Sequence, residues 1–162
     1  MRGHEKGLTL IEIVIAMTIG AMVVAIMVPA TQMMMRLGPR MDNELAVMHD
    51  LDFARRWITR DGQAFQSFAP LPSPGYGRFV WTDYIGDSPV KFEVTYLFDV
   101  GNTSLIREER RDGVVKSTLR IARNIQTEKD VKFEVPDGVV RVKITSTAGN
   151  VSRRVDIIVA RR

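Results

Sequence analysis

The sequence predicts an α+β chain: one long N-terminal helix followed by an antiparallel sheet. Three observations lead there. Residues 13–35 hold no Asp, Glu, Lys, Arg or His. From residue 41 apolar side chains recur every three or four positions, the period of a helix with one buried face. After a Pro/Gly-rich stretch at 69–77 the period becomes two, and tight-turn dipeptides punctuate the rest.

As a helix rising ~1.5 Å per residue, the uncharged run spans roughly 35 Å, enough to cross a hydrocarbon core of about 30 Å. Apolar residues surround it on all sides from 13 to 28, with Thr18 and Gly20 the exceptions. A helix without a polar face is buried in lipid or in other protein. Arg2 and Lys6 precede it and favour a cytoplasmic N-terminus. Arg36 and Arg40 follow it and weaken that signal, serving instead as interface anchors with snorkelling stems. On composition alone a plain membrane anchor and a cleaved secretory signal, ending at Val28-Pro29-Ala30, both fit. Neither gives a reason for Glu12, a carboxylate at the edge of an apolar segment, where charge is costly and by default marks function.

Gly38-Pro39 is expected to kink or briefly break the helix, since proline lacks an amide hydrogen and crowds the preceding turn. Beyond it Leu45, Met48, Leu51, Ala54 and Ile58 form an apolar stripe widened by Val47 and Trp57, with Asp42, Glu44, Asp50, Arg56 and Arg60 largely off it. This predicts an amphipathic helix over about 41–66, packed on a sheet. Strands are expected at 78–84; at 90–98, where Val90, Phe92, Val94, Tyr96 and Phe98 alternate with Lys91, Glu93, Thr95 and Leu97; at 104–110; at 114–121; at 131–135; at 139–146; and at 151–159. Asp112-Gly113 is a two-residue hairpin signal, and Gly101-Asn102, Pro136-Asp137-Gly138 and Ala148-Gly149-Asn150 supply the other turns.

The chain has 162 residues, net charge +4 from 23 basic and 19 acidic side chains, and no cysteine. The mild charge does not by itself call for nucleic acid. Any extracytoplasmic domain here does without disulfides. No enzyme is expected. Two histidines, His4 and His49, and no cysteine exclude the common zinc patterns, and no phosphate-binding loop, G-x-S-x-G or H-E-x-x-H is present. His49 reads as a lone surface histidine, and 99–102 as a plain turn rather than a Ca²⁺ loop. No cofactor is implied. Arg107, Arg110, Arg111, Arg120, Arg123, Arg141, Arg153 and Arg154, gathered on one face, would suit DNA phosphates. The interspersed Glu108, Glu109, Asp112, Glu128 and Asp156 read instead as a solvated mixed-charge face, so nucleic acid is a partner the sequence permits without indicating it.

The stretch Gly7-Leu8-Thr9-Leu10-Ile11-Glu12 resembles the processing site of the type IV pilin and type II secretion pseudopilin superfamily. That family has a short basic leader ending in glycine, a hydrophobic first mature residue and glutamate at the fifth mature position. Leu8 stands where phenylalanine is commoner, and Pro29 lies within the apolar run much as a helix-loosening proline does in many pilins. The resemblance implies a leader over 1–7, a membrane-spanning and filament-core helix over 8–35, a helical stem over 36–69 and a sheet domain over 70–162. It implies cleavage between Gly7 and Leu8 by a membrane prepilin peptidase, for which Gly7, without a Cβ, permits close backbone approach. It also implies N-methylation of Leu8, and pairing of Glu12 with the N-terminal amine of a neighbouring subunit during assembly. A plainer role for Glu12 is to begin the first helical turn, favoured by the helix dipole. The fold implied is pilin-like, the long hydrophobic helix packing on the antiparallel sheet. The partners implied are other pilins or pseudopilins in a filament, the cytoplasmic membrane and an inner-membrane assembly platform. The location implied is single-pass, with an extracytoplasmic C-terminal domain that joins a periplasmic or cell-surface filament. The absent cysteines point away from a major pilin with a C-terminal disulfide loop and towards a minor pilin or pseudopilin. Residues 51–61, 96–99 and 105–107 are similar to J-type minor pseudopilins and PilW-like minor pilins. Outside the family, a membrane-anchored or secreted binding domain without a filament fits the same layout, and within it a DNA-uptake (competence) pilus subunit does.

Overall fold

A computed structural model describes residues 9–160. One helix, α1 (Leu10–Ala64), is followed by eight strands: β1 (Ser67–Pro70), β2 (Gly75–Ile85), β3 (Ser88–Asp99), β4 (Ser104–Arg111), β5 (Val114–Ala122), β6 (Val131–Glu134), β7 (Val140–Ala148) and β8 (Val151–Val159). This is the α+β, pilin-like order expected: a long apolar N-terminal helix, then antiparallel sheet. The chain divides into two compact units, Met1–Met41 and Asp42–Arg162.

In the first unit α1 is apolar on every side over residues 13–28, Thr18 and Gly20 excepted. Leu10, Ile11, Met17, Ile19, Met22 and Ile26 are all more than half exposed. Its hydroxyls are satisfied within the helix: Thr18 Oγ1 donates to the Val14 carbonyl at 2.8 Å, and Thr31 Oγ1 to that of Met27 at 2.9 Å. Such back-bonding removes the cost of carrying a hydroxyl into an apolar medium. Of the kink or short break expected at Gly38-Pro39, the break does not form. Helix continues through both Pro29 and Pro39. Each proline removes one hydrogen bond, and the intact turns on either side carry the helix past it.

In the second unit the strands form two antiparallel sheets rather than one. Strands β1 to β5 make a five-stranded meander in chain order, and β6 to β8 a separate three-stranded one. β1 was not foreseen, because Ala69 and Pro70 read as boundary; Pro70 is tolerated at the end of an edge strand. The Asp112-Gly113 hairpin forms as expected, with φ of 48° and 81°, the left-handed pair a tight hairpin needs. At 99–102 the Asp99 carboxylate accepts from the Gly101 and Asn102 amides and from Asn102 Nδ2, so the turn closes on itself.

Residues 42–64 of α1 pack Val47, Leu51, Ala54 and Ile58 into a core shared with Phe79, Val94, Tyr96, Leu105, Val142 and Ile144. The stripe is rotated from the expected one: Leu45 and Met48 are 63% and 56% exposed, while Asp50 and Asp61 are buried. Counting back by helical turns from Ile58 and Ala54 reaches Leu51 and then Val47, and both aspartates have partners waiting. Phe133 of β6 joins the sheets, its ring 6.0 Å from Phe68, 6.4 Å from Phe79 and 5.3 Å from Tyr96.

Candidate functional site

The site residues singled out in the sequence are Gly7, Leu8 and Glu12. Gly7 and Leu8 lie outside the described residues. Glu12 sits in the first turn of α1. One carboxylate oxygen, Oε2, accepts from the Thr9 amide and from Thr9 Oγ1, both at 2.8 Å. In return the Glu12 amide points at Thr9 Oγ1, at 3.4 Å. Thr9 precedes the helix, and its carbonyl accepts from the Glu12 and Ile13 amides. This is a capping box, Thr-x-x-Glu, in which threonine and glutamate each satisfy an amide that the helix start leaves without a partner.

The arrangement has two consequences. The capping box gives Glu12 a local role, the plainer of the two expected from the sequence. The second oxygen, Oε1, has no hydrogen-bond partner among the described residues and stays available to a cation. Its side chain is held by Thr9 directly beside the position that Leu8 precedes. Thr9 is the residue that sequence reasoning missed. The signal was present, since Thr9-Leu10-Ile11-Glu12 ahead of an apolar run is the capping-box pattern.

The apolar helix that follows is long and apolar enough to cross a membrane. Its small residues Ala16, Gly20, Ala21 and Ala25 stand within that run, and a Cβ placed on Gly20 would meet nothing within 4 Å.

On β4 and β8 of the second unit the arginines stand in ion pairs. Arg110 binds Glu108 at 2.7 Å, Arg111 binds Glu109 at 3.1 Å, Arg153 binds Glu44 at 2.5 Å and Arg154 binds Asp156 at 3.3 Å. Arg107, counted among the surface arginines from sequence, is instead buried against Asp61 at 2.7 Å. These pairings give the mixed-charge face expected rather than an uninterrupted basic one. His49 is exposed and stacks on Phe53, with centroids 6.1 Å apart. No group of three or more His, Cys, Asp or Glu able to hold a metal occurs among the described residues.

A search of curated proteins and a search of solved structures return no match. Residues 2–28 match the family model of the prokaryotic N-terminal methylation motif. The family is structural rather than catalytic. The matched span takes in the Gly7–Leu8 junction, the capped first turn with Glu12 and most of the apolar run, and it supports the type IV pilin and pseudopilin superfamily for this chain.

Proposed function

We propose that this chain is a minor pilin or pseudopilin, a structural subunit of a type IV pilus or type II secretion filament. It is made as a precursor. Prepilin peptidase cuts between Gly7 and Leu8 and methylates Leu8, and the chain waits in the cytoplasmic membrane with its C-terminal domain outside. Entry into the filament, through an inner-membrane assembly platform, exchanges lipid around the stem for the stems of other subunits. Apolar surface is buried before and after, so little new burial is required, and Ala16, Gly20, Ala21 and Ala25 allow close helix approach.

The observation that carries this reading is the register at the N-terminus. The methylation-motif match over residues 2–28 supports it, and cleavage before Leu8 would create an amine four residues, one helical turn, ahead of Glu12. With Oε2 held by Thr9, Oε1 is the oxygen left to receive the amine of a neighbouring subunit. In a medium of low dielectric an amine and a carboxylate attract strongly, although desolvation offsets much of the gain. The pairing therefore acts mainly to set the axial register of the stems.

Replacing Glu12 tests this. Glu12→Ala leaves membrane insertion and cleavage intact and impairs incorporation into filaments. Incorporation at the wild-type level contradicts the pairing. Thr9→Val removes the hydroxyl's hydrogen bonds and leaves the Glu12 charge; a subunit that still assembles separates the pairing role from the capping role.

A further inference from the structure

Leu45 and Met48, expected in the core, stay uncovered. With Leu51 and Val155 they line an open groove of about 570 Å³ that runs beside β8, and its charged lining is Arg55, Arg153, Arg154 and one carboxylate, Asp52, which pairs with Arg56. The volume lies within the roughly 300–1,000 Å³ typical of binding clefts. β8 is the outer strand of its sheet, so one edge of its backbone has no neighbouring strand. Arg153 already binds Glu44, whereas Arg55 has no ion-pair partner among the described residues.

The same unit presents a shape and charge that match. The β2–β3 hairpin turns through Gly86-Asp87, with Ile85 opposite Ser88 and Gly86 at φ 64°. At its tip Tyr84 and Ile85 are 70% and 56% exposed. They are flanked by Asp83 and Asp87, which form no ion pair among the described residues. This is an apolar wedge with a carboxylate on either side.

The wedge is tied to the end of α1, and the groove lies further back along the same helix. Gln66, just past the end of α1, hydrogen-bonds through its side chain to the Thr82 amide and carbonyl. The hairpin extends only three residues past Thr82 to Ile85, about 10 Å of strand. Leu51 in the groove lies thirteen residues before Ala64, roughly 20 Å back along the helix. A copy's tip does not reach its own groove.

The geometry points to a head-to-tail contact between two copies of this chain, the Tyr84-Ile85 wedge of one seated in the Leu45/Met48 groove of the next. Asp83 and Asp87 then face Arg55, the groove arginine without an ion-pair partner among the described residues. The apolar contact supplies most of the affinity, and the charges fix orientation and register. The two surfaces differ, so the contact is heterologous, and copies that do not close into a ring continue as a linear array. The inference rests on the filament reading for its purpose, because an array of domains needs stems that stack with it.

Two crosslinks in the full chain, expressed in membranes, test the contact and separate it from the filament reading. The chain has no cysteine of its own. Chains carrying Met48→Cys and chains carrying Ile85→Cys, expressed together and mildly oxidised, give a disulfide-linked heterodimer. Met48→Cys paired with Val114→Cys, exposed elsewhere on the unit, gives none. Adding Asp83→Lys and Asp87→Lys to the Ile85→Cys chain lowers the yield about fivefold, the scale of an exposed charge pair, and Arg55→Glu on the other chain restores it. Separately, Ala21→Cys reports stem against stem. Stem crosslinks without the Met48–Ile85 heterodimer overturn this contact and leave the filament reading standing. The heterodimer without stem crosslinks supports the contact and removes the filament reading. Absence of both removes both, and a heterodimer that ignores the charge changes overturns the docking proposed.

Discussion

The Asp61 carboxylate, near the end of α1, takes two hydrogen bonds from the Arg107 guanidinium of β4, at 2.7 and 2.8 Å, and both side chains are at most 3% exposed. The Tyr96 hydroxyl donates to Asp61 Oδ2, the oxygen that also accepts from Arg107 Nε, and the Arg107 guanidinium lies 4.6 Å from the Trp57 ring centroid. Glu109 continues the chain outward, accepting from Arg107 and Arg111. Helix and five-stranded sheet are thus joined by a charge pair whose hydrogen-bonding capacity is nearly filled. Removing Arg107 leaves Asp61 buried and charged with only the Tyr96 hydroxyl, and removing Asp61 leaves Arg107 buried with Glu109 as its one remaining ion-pair partner among the described residues. Asp61→Ala or Arg107→Ala is expected to cost about 3–5 kcal/mol, and the double change Asp61→Leu with Arg107→Met to recover most of that. Denaturant unfolding of the full chain in detergent micelles measures both. A double variant as unstable as either single one contradicts the assignment.

Asp50 does a related job nearer the start of the packed part of the helix. Its Oδ2 accepts from the Arg123 and Asn124 amides at 3.0 Å and from Asn124 Nδ2 at 2.7 Å, holding the segment that follows β5. Asp50→Ala strands those donors and is expected to lower stability by about 2 kcal/mol. Asp50→Asn keeps an acceptor oxygen and should lose about half as much. Hydrogen exchange at the 123 and 124 amides, faster in the alanine variant, locates the effect.

At Gly62 α1 packs directly against β8. A Cβ there would run into the Val159 side chain. Gly62→Ala, which elsewhere in a helix would stabilise, is therefore expected to destabilise by about 1–3 kcal/mol through overpacking. Adding Val159→Ala should relieve most of it. A thermal melt of the single variant at or above the wild-type midpoint contradicts this packing.

Stability should fall away at both ends of the pH scale. The Lys91 ammonium holds the Glu93 carboxyl below its usual range, and Lys143 does the same for Glu134. For Glu109 burial pushes upward, but hydrogen bonds from Arg107 and Arg111 outweigh it and the net shift is downward. A carboxyl depressed in the fold contributes stability above its unfolded value of about 4.3, and that contribution is lost as pH falls through the folded value. Burial raises Tyr96, with the Asp61 charge adding to it, and burial raises Tyr76 as well. A raised tyrosine contributes stability below its unfolded value of about 10, lost as pH climbs above that. Melting temperature against pH should be flat between roughly pH 5 and 10 and decline on either side. Tyr96→Phe should lessen the alkaline decline.

The periodicities in the sequence carried much of this architecture. The uncharged run, the alternation through Val94 and Tyr96 and the Asp112-Gly113 turn each name their element, because burial on one face or on all faces leaves a repeat that can be counted. What escaped counting was tertiary. Arg107 follows Leu105 on the inward face of its strand, and Asp61 lies one turn past Ile58 on the buried side of the helix, so both stand at core positions. Each is tolerated there only because the other arrives, and neither position discloses that alone. The same applies to Leu45 and Met48: their spacing suits a core stripe, and only the packed sheets leave them outside. At the N-terminus the glycine, the glutamate and the apolar run were readable in register, while the Thr9 cap was present in the letters and was overlooked.

The mature N-terminus, read by intact-mass and fragmentation mass spectrometry of the protein purified from membranes that contain prepilin peptidase, tests the central claim most directly. The account predicts a chain beginning at N-methylated Leu8, with the apolar helix retained, and a Gly7→Val variant that stays at full length. A functional protein that still carries residues 1–7, or one that begins at Thr31 after loss of the apolar segment, contradicts it.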